Sequence, residues 1–150
     1  MVAADGAVSY EIVGTVSGEA RLGLAMLGDQ RAGITYYAHD DGAGNPLGDL
    51  LFSEWDDGPV TNMVIDTDGD VGRYSSIARG EHGYPQVAYY DATNDALKYA
   101  RYNGLAWDVM TIADNGGEYC SLAIDANWLP HISYYAREVG NLRYATLIAD

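Results

Sequence analysis

Two dipeptides 45 residues apart, Arg73–Tyr74 and Glu118–Tyr119, carry the side chains best suited to gripping a polar ligand. A tyrosine offers an apolar face and a hydroxyl. A neighbouring guanidinium or carboxylate adds a directed hydrogen bond, and together they suit a sugar or similar polyol. Arg21 lies near the corresponding place earlier in the chain. These five residues are the candidate ligand contacts, with packing between sheets as the competing role for the tyrosines.

Other reactive groups are less organised. "DTDGDVG" at 66–72 alternates Asp66, Asp68 and Asp70, as a calcium loop would. Gly69 and Gly72 miss the sixth position such a loop needs, and no glutamate follows, so an ordinary Asp/Gly turn is expected. No cofactor or metal site is expected, calcium being the one ion to consider. His39, His82 and His131 have no metal-ligand spacing. Cys120 stands where a parallel segment has Ser75, with no nucleophile's partner near it, and reads as a packed small residue. No G-x-S-x-G, P-loop or dinucleotide fingerprint occurs.

The charge balance narrows the partners. With 22 acidic and 8 basic residues the net charge is −14, which repels nucleic acid and anionic membrane surfaces. No apolar run reaches the ~18 residues of a membrane span. The opening "MVAADGAVSY" lacks a basic stretch followed by an apolar one, so no signal peptide is read there. A processed secreted chain would look the same, and the compartment is left open.

The scaffold that must position these groups is a repeat. Residues 74–100 align with 119–145 without a gap, and nine of 27 positions are identical, among them Pro85, Tyr89, Tyr90, Leu97 and Tyr99. A looser copy runs from "LGLAML" through "GITYYAHDDGAGNPLGDLLFS", where Tyr36 and Tyr37 match Tyr134 and Tyr135. The segments "QVAYY", "HISYY" and "LKYARY" are β-branched, aromatic and of strand length, and no helical apolar stripe is sustained. A unit of about 45 residues with three or four strands fits a β-propeller blade.

The pattern "GEYCSLAIDANWLPHISYY" with "LRYA", preceded by "GRYSSIARGEHGYPQVAYYDATNDALKYA", resembles the repeats of bacterial and archaeal β-propellers of the broad sialidase-like class. The resemblance spans residues 20–150. It implies the propeller fold and says little about activity, because the S-x-D-x-G-x-T-W Asp-box of sialidases is absent.

The strand census then suggests an assembly. Residues 19–66 form blade one and 67–114 blade two. Residues 115–150 form a third blade without its outer strand, while 1–18 supply an outer strand without a blade. Three blades cannot close a ring, since propellers have about four to eight. The expectation is an all-β, six-bladed ring made by two identical chains, each N-terminal strand completing the partner's last blade.

Ligands are expected on the face carrying the loops at 17–21, 67–73, 114–118, 39–48, 91–96 and 136–141. Blade one carries six extra residues there, within "HDDGAGNPLGD", bringing His39, Asp40, Asp41 and Asn45 to that face. The leading functional expectation is a non-catalytic binding or interaction module, a homodimer taking a carbohydrate or small polar ligand. A hydrolase or lyase acting on glycans or small esters through a channel-bound cation is the alternative. A purely structural half-propeller is the third.

Overall fold

The structure, a computed structural model, describes Tyr10, residues 12–14, 22–40 and 46–148, with backbone alone at 40, 46 and 47. The chain folds into three antiparallel sheets in sequence order. The first joins β1 (Leu22–Met26), β2 (Ala32–Asp40), β3 (Pro46–Trp55) and β4 (Thr61–Asp66). The second joins β5 (Val71–Arg79), β6 (Pro85–Asp91), β7 (Ala96–Tyr102) and β8 (Trp107–Asp114). The third holds β9 (Glu118–Ile124), β10 (Pro130–Ala136) and β11 (Asn141–Thr146), with no fourth strand among the described residues. Strands follow one another across each sheet, and β1, β5 and β9 lie side by side as inner strands. This is a blade arrangement.

The sequence puts the start of the second blade's inner strand at Tyr74 and the end of the last strand at 149, and the structure moves both bounds. The inner strand of the second blade begins at Val71, so Arg73 and Tyr74 lie within it rather than at its start. The last strand ends at Thr146, short of 149. Tyr10 and residues 12–14 are not in a strand, and the remainder of the expected N-terminal strand lies outside the described residues. The Val13 carbonyl accepts a hydrogen bond of 2.9 Å from Ser53 Oγ, on the face of the first sheet turned away from the second.

The seams between blades repeat with the sequence. Leu50, Phe52, Ile65, Val71, Ile77, Val87 and Tyr89 fill the first seam; Leu97, Tyr99, Leu122, Ile132 and Tyr134 fill the second. Each such side chain contributes about 1.5–3 kcal/mol on burial. Gly72 and Gly117, repeat equivalents at φ +102° and +127°, let the following blade approach Leu50 and Leu97 closely. A Cβ at either would lie 2.6 or 2.8 Å from those leucines. Tyr36, Tyr89 and Tyr134, the first tyrosine of each repeated pair, are all buried.

One polar network crosses the first seam. Lys98 Nζ lies 2.5 Å from Asp66 Oδ2, which also accepts from the Tyr89 hydroxyl at 2.7 Å. Asp66 thus ties the end of β4 to the second sheet, with Asp91 3.8 Å from the same ammonium. Burial raises the Asp66 carboxyl, but hydrogen bonds from Lys98, Tyr89 and the Asp68 N–H outweigh it and hold the group below its ordinary range.

The two outer faces break the pattern. Leu50, Leu97 and Leu142 pair with Tyr37, Tyr90 and Tyr135 in equivalent registers. Leu50 and Leu97 are 0% exposed, whereas Leu142 is 79% exposed. Tyr99 is 1% exposed and its equivalent Tyr144 is 63%. On the opposite face of the array, Ile77 and Leu122 are buried while Leu24, in the same register, is 68% exposed. Leu22 and Met26 are exposed beside it.

Candidate functional site

The described candidate residues gather at the end of the sheets where β4 turns into β5 and β6 into β7. Tyr74 and Tyr119 occupy equivalent bulges at φ +56° and +54°, a left-handed conformation that bulky residues rarely adopt. Register shifts mark both places, between Arg73 and Ser76 and between Ser133 and Tyr135 opposite Glu118 and Ser121. The bulges re-aim the side chains, and the two rings meet at 4.4 Å between centroids. Tyr119 is largely exposed, and Tyr74 also approaches Tyr90 at 6.2 Å.

The charged partners do not alternate around these rings as the sequence suggested. Arg73 turns back to the first seam. There its Nε donates to Asp70 Oδ1 at 3.1 Å, and its guanidinium lies 5.5 Å from the centre of the Tyr37 ring. The Tyr37 hydroxyl donates to the same Asp70 oxygen at 2.9 Å. Glu118 instead serves the second seam, 3.6 Å from Arg137 Nη1. Arg137 Nη2 donates to the Tyr90 hydroxyl at 2.7 Å, and that hydroxyl donates to Asp95 at 2.8 Å. Burial, reinforced by the Asp95 hydrogen bond, pushes the Tyr90 phenol up to about 12. Each seam therefore ends in a tyrosine–aspartate–arginine cluster near the tilted Tyr74–Tyr119 pair.

Several expected residues are not part of this geometry. Arg21, Asp41 and Asn45 lie outside the described residues, and so does the Asp40 side chain. His39 is exposed, its Nδ1 3.5 Å from the Tyr37 hydroxyl. The extended β2–β3 hairpin does reach the cluster, since Gly48 packs against Asp70. Among the described residues no group of three or more His, Cys, Asp or Glu is placed to hold a metal. Asp66 accepts the Asp68 N–H, and Asp70 accepts hydrogen bonds from Arg73 and Tyr37. Cys120 is buried with its thiol pushed up to about 12 by desolvation, its Sγ donating to the Tyr74 carbonyl at 2.9 Å.

Sequence reasoning weighed Asp70 only as a turn or calcium-loop carboxylate and did not single out Asp95 or Arg137, each of which completes a cluster from a turn. It also passed over a cavity of about 230 Å³ at the opposite end of the second seam. Tyr84, Tyr102, Gln86, Arg101, Glu81 and Trp128 are among the residues lining it. The signal available was Trp128, a tryptophan in the position where the preceding repeat has Gly83.

No family model and no curated protein matches the chain. Solved structures do resemble it. A mutant of Aleuria aurantia lectin in complex with alpha-methyl-L-fucoside superposes with a TM-score of 0.64 at 16% identity, over 91% of this chain and 43% of that one. The same mutant lectin in complex with Fucalpha1-6GlcNAc gives a TM-score of 0.65 at 18% identity, covering 91% and 44%. The chain spans less than half the length of these lectin chains. At this identity the likeness establishes the fold, all-β sheets arranged as in that lectin's β-propeller.

Proposed function

We propose that this chain is a non-catalytic carbohydrate-binding module that works as half of a six-bladed ring closed by a second copy. The observation that carries the binding assignment is the close, tilted Tyr74–Tyr119 ring pair. It presents the exposed Tyr119 face beside Arg137 and Glu118, with Arg73 and Asp70 at the neighbouring seam. An aromatic platform flanked by directional donors and acceptors is how proteins hold a polyol in water. The carboxylates nearest the rings are held in arginine pairs, an arrangement suited to binding. The two similar structures, both of a lectin with a fucose-containing ligand, support the same reading.

Closure by a second copy is supported by the two outer faces. The third sheet turns outward the residue set that packs the first sheet on the second and the second on the third. The first sheet turns outward the complementary set. A head-to-tail pairing of two copies covers both at once and generates six blades. The N-terminal segment, whose Val13 already lies over the outer face of the first sheet, then reaches the partner's third blade to complete it. The test of binding is a glycan array probed with the full chain. Specific signals that drop with Tyr119→Ala support the assignment; an array without signal refutes it.

A further inference from the structure

We infer that the cavity at the far end of the second seam is a separate saccharide site, built to take one pyranose ring between the second and third blades. It rests on the carbohydrate reading above but uses none of the residues around Tyr74 and Tyr119. The second blade supplies Tyr84 from the β5–β6 loop and Tyr102 from the end of β7. Their rings stand at 90° with centroids 5.8 Å apart. The third blade supplies Trp128 from the β9–β10 loop, 43% exposed.

The loop holding Trp128 is made for that purpose. Trp128 sits at φ +63°, the repeat equivalent of Gly83 at φ +78°, so a bulky residue occupies a glycine-type position. Asp125 Oδ1 accepts the N–H groups of Asn127 and Leu129 at 2.8 and 2.9 Å and fixes the turn on either side. Gln86 Nε2 reaches across the seam to the Trp128 carbonyl at 3.4 Å. Its Oε1 is taken by the Tyr99 hydroxyl, which sets the orientation of the amide.

The first seam shows the same place with different side chains. There Gly83 faces Arg31, and the Arg31–Glu54 pair at 2.9 Å fills the space where the second seam has Tyr84 and Arg101. The second seam thus has Tyr84 for an arginine, Arg101 for a glutamate and Trp128 for a glycine, and these three give the cavity much of its lining.

The ligand class follows from the lining. Three aromatic faces favour the C–H faces of a sugar. Glu81 offers acceptors and Arg101 donors for hydroxyls. A guanidinium in the wall disfavours a cationic ligand, and a carboxylate disfavours an anion. At about 230 Å³ the cavity is smaller than the ~300–1,000 Å³ of drug-sized pockets, which limits it to one ring of a glycan.

The experiment is titration calorimetry of the full chain with methyl α- and β-pyranosides of glucose, galactose, mannose and fucose. For the sugar that binds, Trp128→Ala should weaken affinity about tenfold or more, while Tyr119→Ala leaves binding at this site in place. Arg101→Ala, a change at an exposed side chain, provides a second variant should Trp128→Ala fold poorly, and the same loss is expected. Wild-type binding that survives both cavity variants overturns this site and leaves the carbohydrate reading standing. A wild-type chain that binds none of these sugars and gives no array signal overturns both.

Discussion

Leu97 and Leu142 hold the same place in successive sheets, yet Leu97 is sealed beneath Gly117 of the next blade and Leu142 faces solvent. The outer face of the third sheet therefore exposes a residue type that the seams bury. Leu24 stands to Ile77 and Leu122 as Leu142 stands to Leu50 and Leu97.

If those faces join two copies, a charge placed on either should separate them. Leu142→Asp and Leu24→Asp should each shift sedimentation velocity from a dimer to a monomer of 16.2 kDa. Far-ultraviolet circular dichroism should remain that of the wild type, because neither residue contributes to the core within one chain. A buried leucine is worth about 1.5–3 kcal/mol, and burying a charge in its place adds a desolvation cost.

The Lys98–Asp66 pair gives a test internal to the chain. Lys98→Met keeps the bulk of the side chain but leaves Asp66 buried with an unbalanced charge. Chemical denaturation should show a loss of about 3 kcal/mol, the usual cost of removing one partner of a buried pair.

The same carboxylate predicts an acid limb. Asp66 is held below its ordinary value of 3.8, so its contribution is complete above that value and is lost as pH falls through the lower value of the folded protein. Melting temperature should stay level from pH 7 to about pH 5 and then drop, with a shallower drop in Lys98→Met.

Cys120 should be silent in the native protein. With its thiol near 12 and buried, it should resist Ellman's reagent at pH 8 and react fully in guanidinium chloride.

Much of the fold was legible because each strand writes its own periodicity. The tyrosine pairs at 36–37, 89–90 and 134–135 mark the middle strand of each blade, one residue per seam. The polar clusters were harder to read, since each joins side chains from different blades. Nothing in the spacing of Asp95 and Arg137 announces that both converge on Tyr90, and turn residues were read as turns. Arg73 went to Asp70 because an aspartate three residues earlier, and a tyrosine ring across the seam, lay closer than any partner around the axis. The cavity was obscured for the same reason: Tyr84, Tyr102 and Trp128 come from two loops and a strand end of two blades, and only the tryptophan in a glycine's place hinted at it.

The central claim, that two copies close one ring, is tested most directly by the mass in solution. Light scattering on the intact chain should give a single species of about twice 16.2 kDa, and removal of residues 1–16 should abolish it. A monodisperse 16.2 kDa particle with those residues present would contradict the account.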